Sequence, residues 1–219
     1  ADIVALQEVD IGCPRSGGVD QPSRLAEATG MVPRFFKLVD WGLSPARHEE
    51  RGDYGLAFLT RPKLPVGGEE HCFLPQRGNS AEPRGFLRVV AQWQDLRLEL
   101  TNTHLSTRRN ERRVQVDALA KDLQRSRDER AGRVLLGDFN MTGRSPSTRR
   151  LLRFATDCRP SRPPRFTFPS RFPLFQLDRI FVDGPLEPVR TRVLHSPLAR
   201  AASDHLPLEV TLRKRPLDA

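Results

Sequence analysis

Short apolar runs punctuated by Gly, Pro, Asn and Asp dominate this chain. Runs rich in Val, Ile, Leu and Phe recur at residues 2–6, 32–38, 55–60, 86–93, 97–103, 134–136, 179–182, 191–194 and 208–212. Each is short and bounded by turn-forming residues, so each predicts a β-strand. Helical spacing is confined to three stretches. Residues 111–125 place Val114, Ala118, Leu119 and Leu123 on one face. Residues 147–154 follow Pro146, a helix-start signal, and carry Leu151, Leu152 and Phe154. A shorter helix is expected over 23–29, closed by Gly30. Segments 10–22, 40–53, 62–83 and 160–176 all contain Pro or Gly and read as long loops. Loops of that length are uncommon in a compact domain unless they serve a site. Strands outnumber helices and the helices are interspersed, which predicts an α/β or α+β domain with sheets at its centre.

Length and composition narrow this picture. A chain of 219 residues suits one well-packed domain over 1–219. Its hydrophobic fraction of 37% and charged fraction of 29% are those of a globular protein. No apolar run approaches the roughly 20 residues that span a bilayer, and no signal peptide is visible, so a cytoplasmic location is expected. Cys13, Cys72 and Cys158 form no CxxC pair and no zinc pattern, and read as free thiols. The net charge is +9, mostly from Arg scattered along the chain. A basic surface favours polyanions, whether nucleic acid or a phospholipid headgroup.

Five polar clusters sit at the ends of the apolar strands. They are Gln7-Glu8, Asn102-Thr103-His104-Leu105, Gly137-Asp138-Phe139-Asn140, Asp178-Arg179-Ile180 and Ser203-Asp204-His205. Taken alone, each could be a turn, because Asp and Asn start turns routinely. Together they supply four carboxylates, two His and two Asn, the composition of a phosphoryl-transfer site. Hard oxygen ligands hold Mg²⁺ or Mn²⁺. A carboxylate-paired His suits proton transfer or charge stabilisation. Amide and imidazole groups can grip phosphate oxygens.

In this order the five motifs resemble those of the endonuclease/exonuclease/phosphatase superfamily, and the match runs from Glu8 to His205. The resemblance implies a DNase I-like four-layer α/β/β/α sandwich, with two packed mixed sheets flanked by helices. It also implies metal-dependent phosphoester hydrolysis. Carried over residue by residue, Glu8 becomes the principal ligand of Mg²⁺ or Mn²⁺, with Asp204 a second ligand at or near the metal. Asp138 would orient or deprotonate the attacking water, and Asn140 would hold a phosphate oxygen. His205 would bind the scissile phosphate, its imidazole oriented by Asp178. His104 would contact the phosphate from the other side. Asn102 and Arg84 are candidates for site support and phosphate contact. Gln115 is expected to pack and hydrogen-bond behind the site. His48, His71 and His195 lack such context and read as surface or structural.

Two departures from the family pattern matter. Family members open with a strand ending in Asn, one βα unit before the Gln-Glu motif, and nothing of the kind precedes Ala1 here; a fragment is therefore expected, which extending the reading frame upstream would test. AP endonucleases of the family carry a Trp and Tyr set before the Asp-Arg-Ile-like motif. Here that region has Phe166, Phe168, Phe172 and Phe175 but no Trp, and the chain's one Tyr is Tyr54. The resemblance is thus to small bacterial members without long DNA-binding insertions. The Phe cluster among Arg162, Arg165 and Arg171 either pins a loop to the core or stacks bases or meets lipid. Three functions follow: a monomeric phosphodiesterase or phosphatase, a DNA nuclease in the narrow sense, or a non-catalytic polyanion-binding relative. The intact motifs disfavour the last.

Overall fold

The computed structural model describes residues 1–40, 51–77, 82–125, 130–163 and 165–215. It comprises two compact units, Ala1–His104 and Leu105–Ala219. His48 and most of segment 40–53 lie outside the described residues.

Among its described residues the first unit holds six strands and one α-helix: β1 (Ile3–Ile11), α1 (Gln21–Thr29), β2 (Val32–Asp40), β3 (Asp53–Thr60), β4 (Val66–Phe73), β5 (Gly85–Trp93) and β6 (Leu96–His104). β3 lies between β1 and β2, antiparallel to both. As a central strand it is buried from Tyr54 to Thr60 and reads as a continuous apolar run. Gly55 permits this packing, because a Cβ there would stand 1.9 Å from the Phe36 carbonyl oxygen, beside an irregularity in the β2 register. β4, β5 and β6 form an antiparallel meander. β5 and β6 pair without interruption from Gly85↔His104 to Trp93↔Leu96, so His104 is carried to the end of a rigid ladder. Helix α1 starts at an Asp20 cap that accepts from the Ser23 N–H at 2.9 Å.

The second unit contains α2 (Arg109–Arg125), β7 (Gly132–Asp138), α3 (Pro146–Leu151), β8 (Thr156–Asp157), β9 (Asp178–Asp183), β10 (Leu186–Val193), α4 (Pro197–Ala202) and β11 (Leu208–Lys214). β9 pairs antiparallel with β7 on one side and β8 on the other, and β10 pairs antiparallel with β11. Val116, Leu119, Val134, Leu135, Leu151 and Phe181 are buried. Phe139, the apolar member of its motif, is fully buried and meets Phe181 edge-on at 5.2 Å. That anchor fixes the polar residues on either side of it.

All nine strands and three helices expected from the pattern are present. Segment 62–83, expected as loop, contains β4. Its sequence, Val66-Gly67-Gly68-Glu69-Glu70-His71-Cys72-Phe73, has little apolar content, because mostly exposed residues alternate along it. Strand β8 and helix α4 are two and six residues long, too short to carry a period. Among the described residues, Cys13, Cys72 and Cys158 form no disulfide. His71 is exposed and stacks on Phe36 at 4.6 Å, and His195 is exposed beside Arg200. Among the described residues, no helix is long and apolar enough to cross a membrane.

Candidate active site

Glu8 owes its position to a fault in β1. The β1–β3 register slips between Leu6 and Val9, leaving Gln7 and Glu8 in a bulge. Glu8 adopts φ 58°, a left-handed conformation uncommon outside glycine. Bulges re-aim side chains and collect beside active sites, and local strain there is an indicator of function. The carboxylate is 60% exposed, with Oε1 3.7 Å from His104 Nε2. A single buried amide holds the bulge. Asn102 donates from Nδ2 to the Leu6 carbonyl at 2.9 Å and to the Ala57 carbonyl at 3.0 Å, and its Oδ1 accepts from Gln7 Nε2 at 2.6 Å. Asn102 is fully buried and committed at both ends, so it is built as support for Glu8.

Behind Glu8 lies a buried polar group. Arg84 is 8% exposed and His104 is 3% exposed. Arg84 Nη1 stands 2.6 Å from His104 Nδ1 and 3.0 Å from Nε2, placing a donor-only guanidinium against the ring edge. The same nitrogen is 3.2 Å from Glu82 Oε1, an ion pair without hydrogen-bond geometry. Tyr54, buried on β3, completes the group. Burial foremost, then the charges of Glu8 and Glu82 and a hydrogen bond to Glu8, push its phenol far above the ordinary value. Tyr54 is therefore a neutral donor to the Glu8 carboxylate. The sequence carried no signal for this role, because the β1–β3 register (Val9↔Gly55, Asp10↔Tyr54) is what brings the phenol to the bulge.

In the second unit, strand pairing sets two carboxylates side by side. Asp138 ends β7 and Asp178 begins β9, and the two are register partners. Asn140 then folds back over Asp138. It too has positive φ, 48°. Its backbone N–H donates to Asp138 Oδ1 at 2.8 Å, and its Nδ2 donates to Asp138 Oδ2 at 3.1 Å and to the Leu105 carbonyl at 2.9 Å. Asp138 is thus held on both oxygens while 7% exposed.

His205 closes this group. Its Nδ1 is 2.8 Å from Asp178 Oδ2, and the Phe168 ring packs 4.8 Å from its own. Burial works against the imidazolium. The Asp178 hydrogen bond and the charges of Asp178, Asp138 and Asp204 outweigh it and push the pKa from 6.5 up to about 9. At neutral pH His205 is cationic, a donor aimed by one carboxylate and balanced by a second. Asp178 does not pair with its neighbour Arg179. Arg179 is buried and ties to Asp157 Oδ2 at 2.6 Å, which holds the start of β9 and leaves Asp178 for His205. The 160–176 loop also serves the site. The Thr167 hydroxyl accepts from the Leu177 and Asp178 N–H groups, Ser170 N–H donates to the Asp204 carbonyl at 2.6 Å, and Leu206 N–H donates to the Thr167 carbonyl at 2.7 Å. Thr167 and Ser170 were not singled out from the sequence. Phe168 pins the loop, while Phe166, Phe172 and Phe175 are exposed. Gln115 is fully buried and its Oε1 accepts from the Ser106 N–H at 2.9 Å.

A divalent cation fits the chemistry of these donors. Glu8 offers an open carboxylate, the hard-oxygen ligand that Mg²⁺ prefers. Ligand atoms of Asp138, Asp178 and His205 lie within 4.8 Å of one another, a spacing that could hold a metal ion. Two of these three already share the 2.8 Å hydrogen bond, so the group is also satisfied by a proton. Asp204, expected at the metal, is exposed and lies outside that trio.

One family model matches most of the chain, and solved structures share its fold. The model of the Endonuclease/Exonuclease/phosphatase family matches residues 1–205. No curated protein matches the chain in sequence. Among solved structures, the human Nocturnin catalytic domain with bound sulfate is similar with a TM-score of 0.75 and 20% identity, over 97% of this chain and 81% of that one. A mannosyl-6-phosphatase from Bacteroides thetaiotaomicron gives 0.73 and 20%, over 97% and 85%. D. rerio TDP2 complexed with a single-strand DNA product gives 0.67 and 18%, over 97% and 86%. These likenesses bear out the expected fold class, mixed sheets with few helices in a DNase I-like arrangement. With the family model covering nearly the whole chain, the chain belongs to the endonuclease/exonuclease/phosphatase family, whose members are hydrolases.

Proposed function

We propose that this chain hydrolyses a phosphoester, as a phosphodiesterase or phosphatase, by in-line attack of water on phosphorus. The observation that carries the proposal is the Asp178–His205 pair beside Asp138. An imidazolium oriented by one carboxylate stands next to a second carboxylate fixed on both oxygens. Asp138 takes a proton from the attacking water as the new P–O bond forms. His205, cationic at neutral pH, donates a hydrogen bond to the scissile phosphate and offsets the charge that develops as the ester P–O bond breaks. Asp178 fixes the ring. Asn140 holds Asp138 in place and borders the phosphate, reaching a phosphate oxygen by exchanging one of its two amide bonds.

Glu8, with Asp204 at or near the ion, would hold Mg²⁺ or Mn²⁺, which when bound supplies charge neutralisation at the phosphate. Tyr54, Gln7 and Asn102 set the Glu8 carboxylate. Arg84 and His104, each more than nine-tenths buried, support Glu8 in this reading. The solved neighbours are consistent with the class, being named for a phosphatase and for a protein bound to a DNA product.

An assay panel tests the proposal. The protein is incubated with bis-p-nitrophenyl phosphate, plasmid DNA, an abasic-site duplex and sphingomyelin, in Mg²⁺, Mn²⁺ or EDTA. Turnover of at least one ester that needs metal and is lost in Asp138→Asn is expected. No turnover on any of them, or turnover indifferent to both changes, would overturn the assignment.

A further inference from the structure

Helices α2 and α3 of the second unit border a groove of about 760 Å³. Its walls carry six arginines, Arg109, Arg112, Arg113, Arg149, Arg150 and Arg153, against one carboxylate, Asp117. Asp117 is already used, pairing with Arg150 Nε at 2.8 Å. Arg112 is half-buried and donates to the Ser106 and Thr107 carbonyls at 2.8 and 2.7 Å. The side chains of Arg109, Arg113, Arg149 and Arg153 are exposed and have no ion-pair partner among the described residues. Four uncompensated guanidiniums crowded into one concavity repel one another, and an anion relieves that repulsion.

The arrangement indicates which anion. Arg109 and Arg113 are one helical turn apart on α2, about 6 Å of rise. On the opposite wall Arg149 sits in the last turn of α3 and Arg153 two residues past its end. Positive charge is thus spread along a trough, which suits a row of phosphates better than a single one. Guanidiniums match phosphate oxygens bidentately. A concavity of about 760 Å³ is of the size that takes a small ligand, so it suits a short run of one strand better than a duplex. Among the described residues no aromatic side chain lines it, which leaves backbone contact without base stacking. Arg112 joins the groove to the Asp138 group, since its guanidinium is subject to the charges of both Asp138 and Arg109.

We propose that the α2–α3 groove binds the phosphate backbone of a single-stranded nucleic acid. This rests on the groove alone and holds whether or not Asp138 and His205 turn over an ester. Binding of a fluorescein-labelled dT 20-mer is measured in EDTA across a salt series, with the strand confirmed intact afterwards. Arg149→Glu/Arg153→Glu is compared with Arg24→Glu/Arg190→Glu, which makes the same change in net charge at exposed arginines that do not line the groove. The groove pair is expected to weaken binding at least tenfold and to flatten the log K against log salt slope by about 1.4, two contacts' worth for a single strand. The control pair is expected to weaken it less than threefold. Equal losses in both pairs, or none in either, would overturn the proposal. So would groove-dependent binding to phosphoinositide vesicles without binding to the 20-mer. Should the Glu pair fail to fold by circular dichroism, Arg149→Gln/Arg153→Gln gives the same test, with about a fivefold loss expected.

Discussion

Two polar groups in this chain are built in opposite ways. Glu8 is an open carboxylate, 60% exposed, held out on a strained bulge with its supporting partners buried behind it. His205 and Asp138 form a more closed group in which most donors and acceptors are met by protein. An open, singly anionic oxygen with a rigid base is what a hydrated cation requires, because Mg²⁺ keeps several waters and takes few protein ligands. A closed cation–carboxylate group is what charge stabilisation requires, because its dipoles are already oriented before reaction. The difference supports the proposed division, with ion binding at the first and phosphate chemistry at the second.

The sharpest way to break that contrast is to damage each group and vary the metal. Asp138→Asn is expected to lower kcat by about 10³-fold or more at every Mg²⁺ concentration; partial recovery at high Mg²⁺ would move Asp138 to the ion. Glu8→Gln should cost about 10²-fold at low Mg²⁺ and recover in part as the ion is raised, read by metal titration of kcat/KM. A loss that ignores metal concentration would contradict the assignment. Asp178→Asn should reduce kcat roughly 10- to 100-fold, the usual range for a residue that orients another. The same substitution should bring the His205 imidazole down from about 9 toward its ordinary value in the metal-free protein, followed by NMR titration. Tyr54→Phe should have the smallest effect, a two- to fivefold rise in the Mg²⁺ needed for half-maximal rate with kcat nearly unchanged.

The raised His205 value also sets a pH dependence of stability. A group whose folded pKa lies above its unfolded one stabilises fully below the unfolded value and loses that contribution as pH rises through the folded value. Metal-free protein should therefore lose stability between pH 6.5 and about 9, by at most roughly 3 kcal/mol. Urea midpoints should show this slope in the parent and a flatter one in Asp178→Asn.

The sequence revealed chemistry at strand ends more readily than it revealed what holds that chemistry. Glu8, Asp138, Asp178 and His205 each follow or open an apolar run, and their order along the chain carried the family resemblance. Their supports are set by pairing across the sheet. Tyr54 reaches Glu8 through the β1–β3 register, and the fully buried amide of Asn102 acts on carbonyls of two other strands. The adjacency of Asp138 and Asp178 is likewise a consequence of register. The β4 strand escaped notice for a different reason. Its two glycines, two glutamates and exposed side chains show no apolar alternation, and its strand state comes from pairing with β5. The arginine groove was invisible because its two walls are separate stretches of sequence, each unremarkable among scattered arginines.

The most direct test of the central claim is hydrolysis of bis-p-nitrophenyl phosphate by the parent protein, Asp138→Asn and His205→Ala, with EDTA and then with Mg²⁺ restored. Turnover by the parent alone, abolished by EDTA and regained with Mg²⁺, is the predicted result. Turnover that persists in EDTA, or that survives both substitutions, would contradict it.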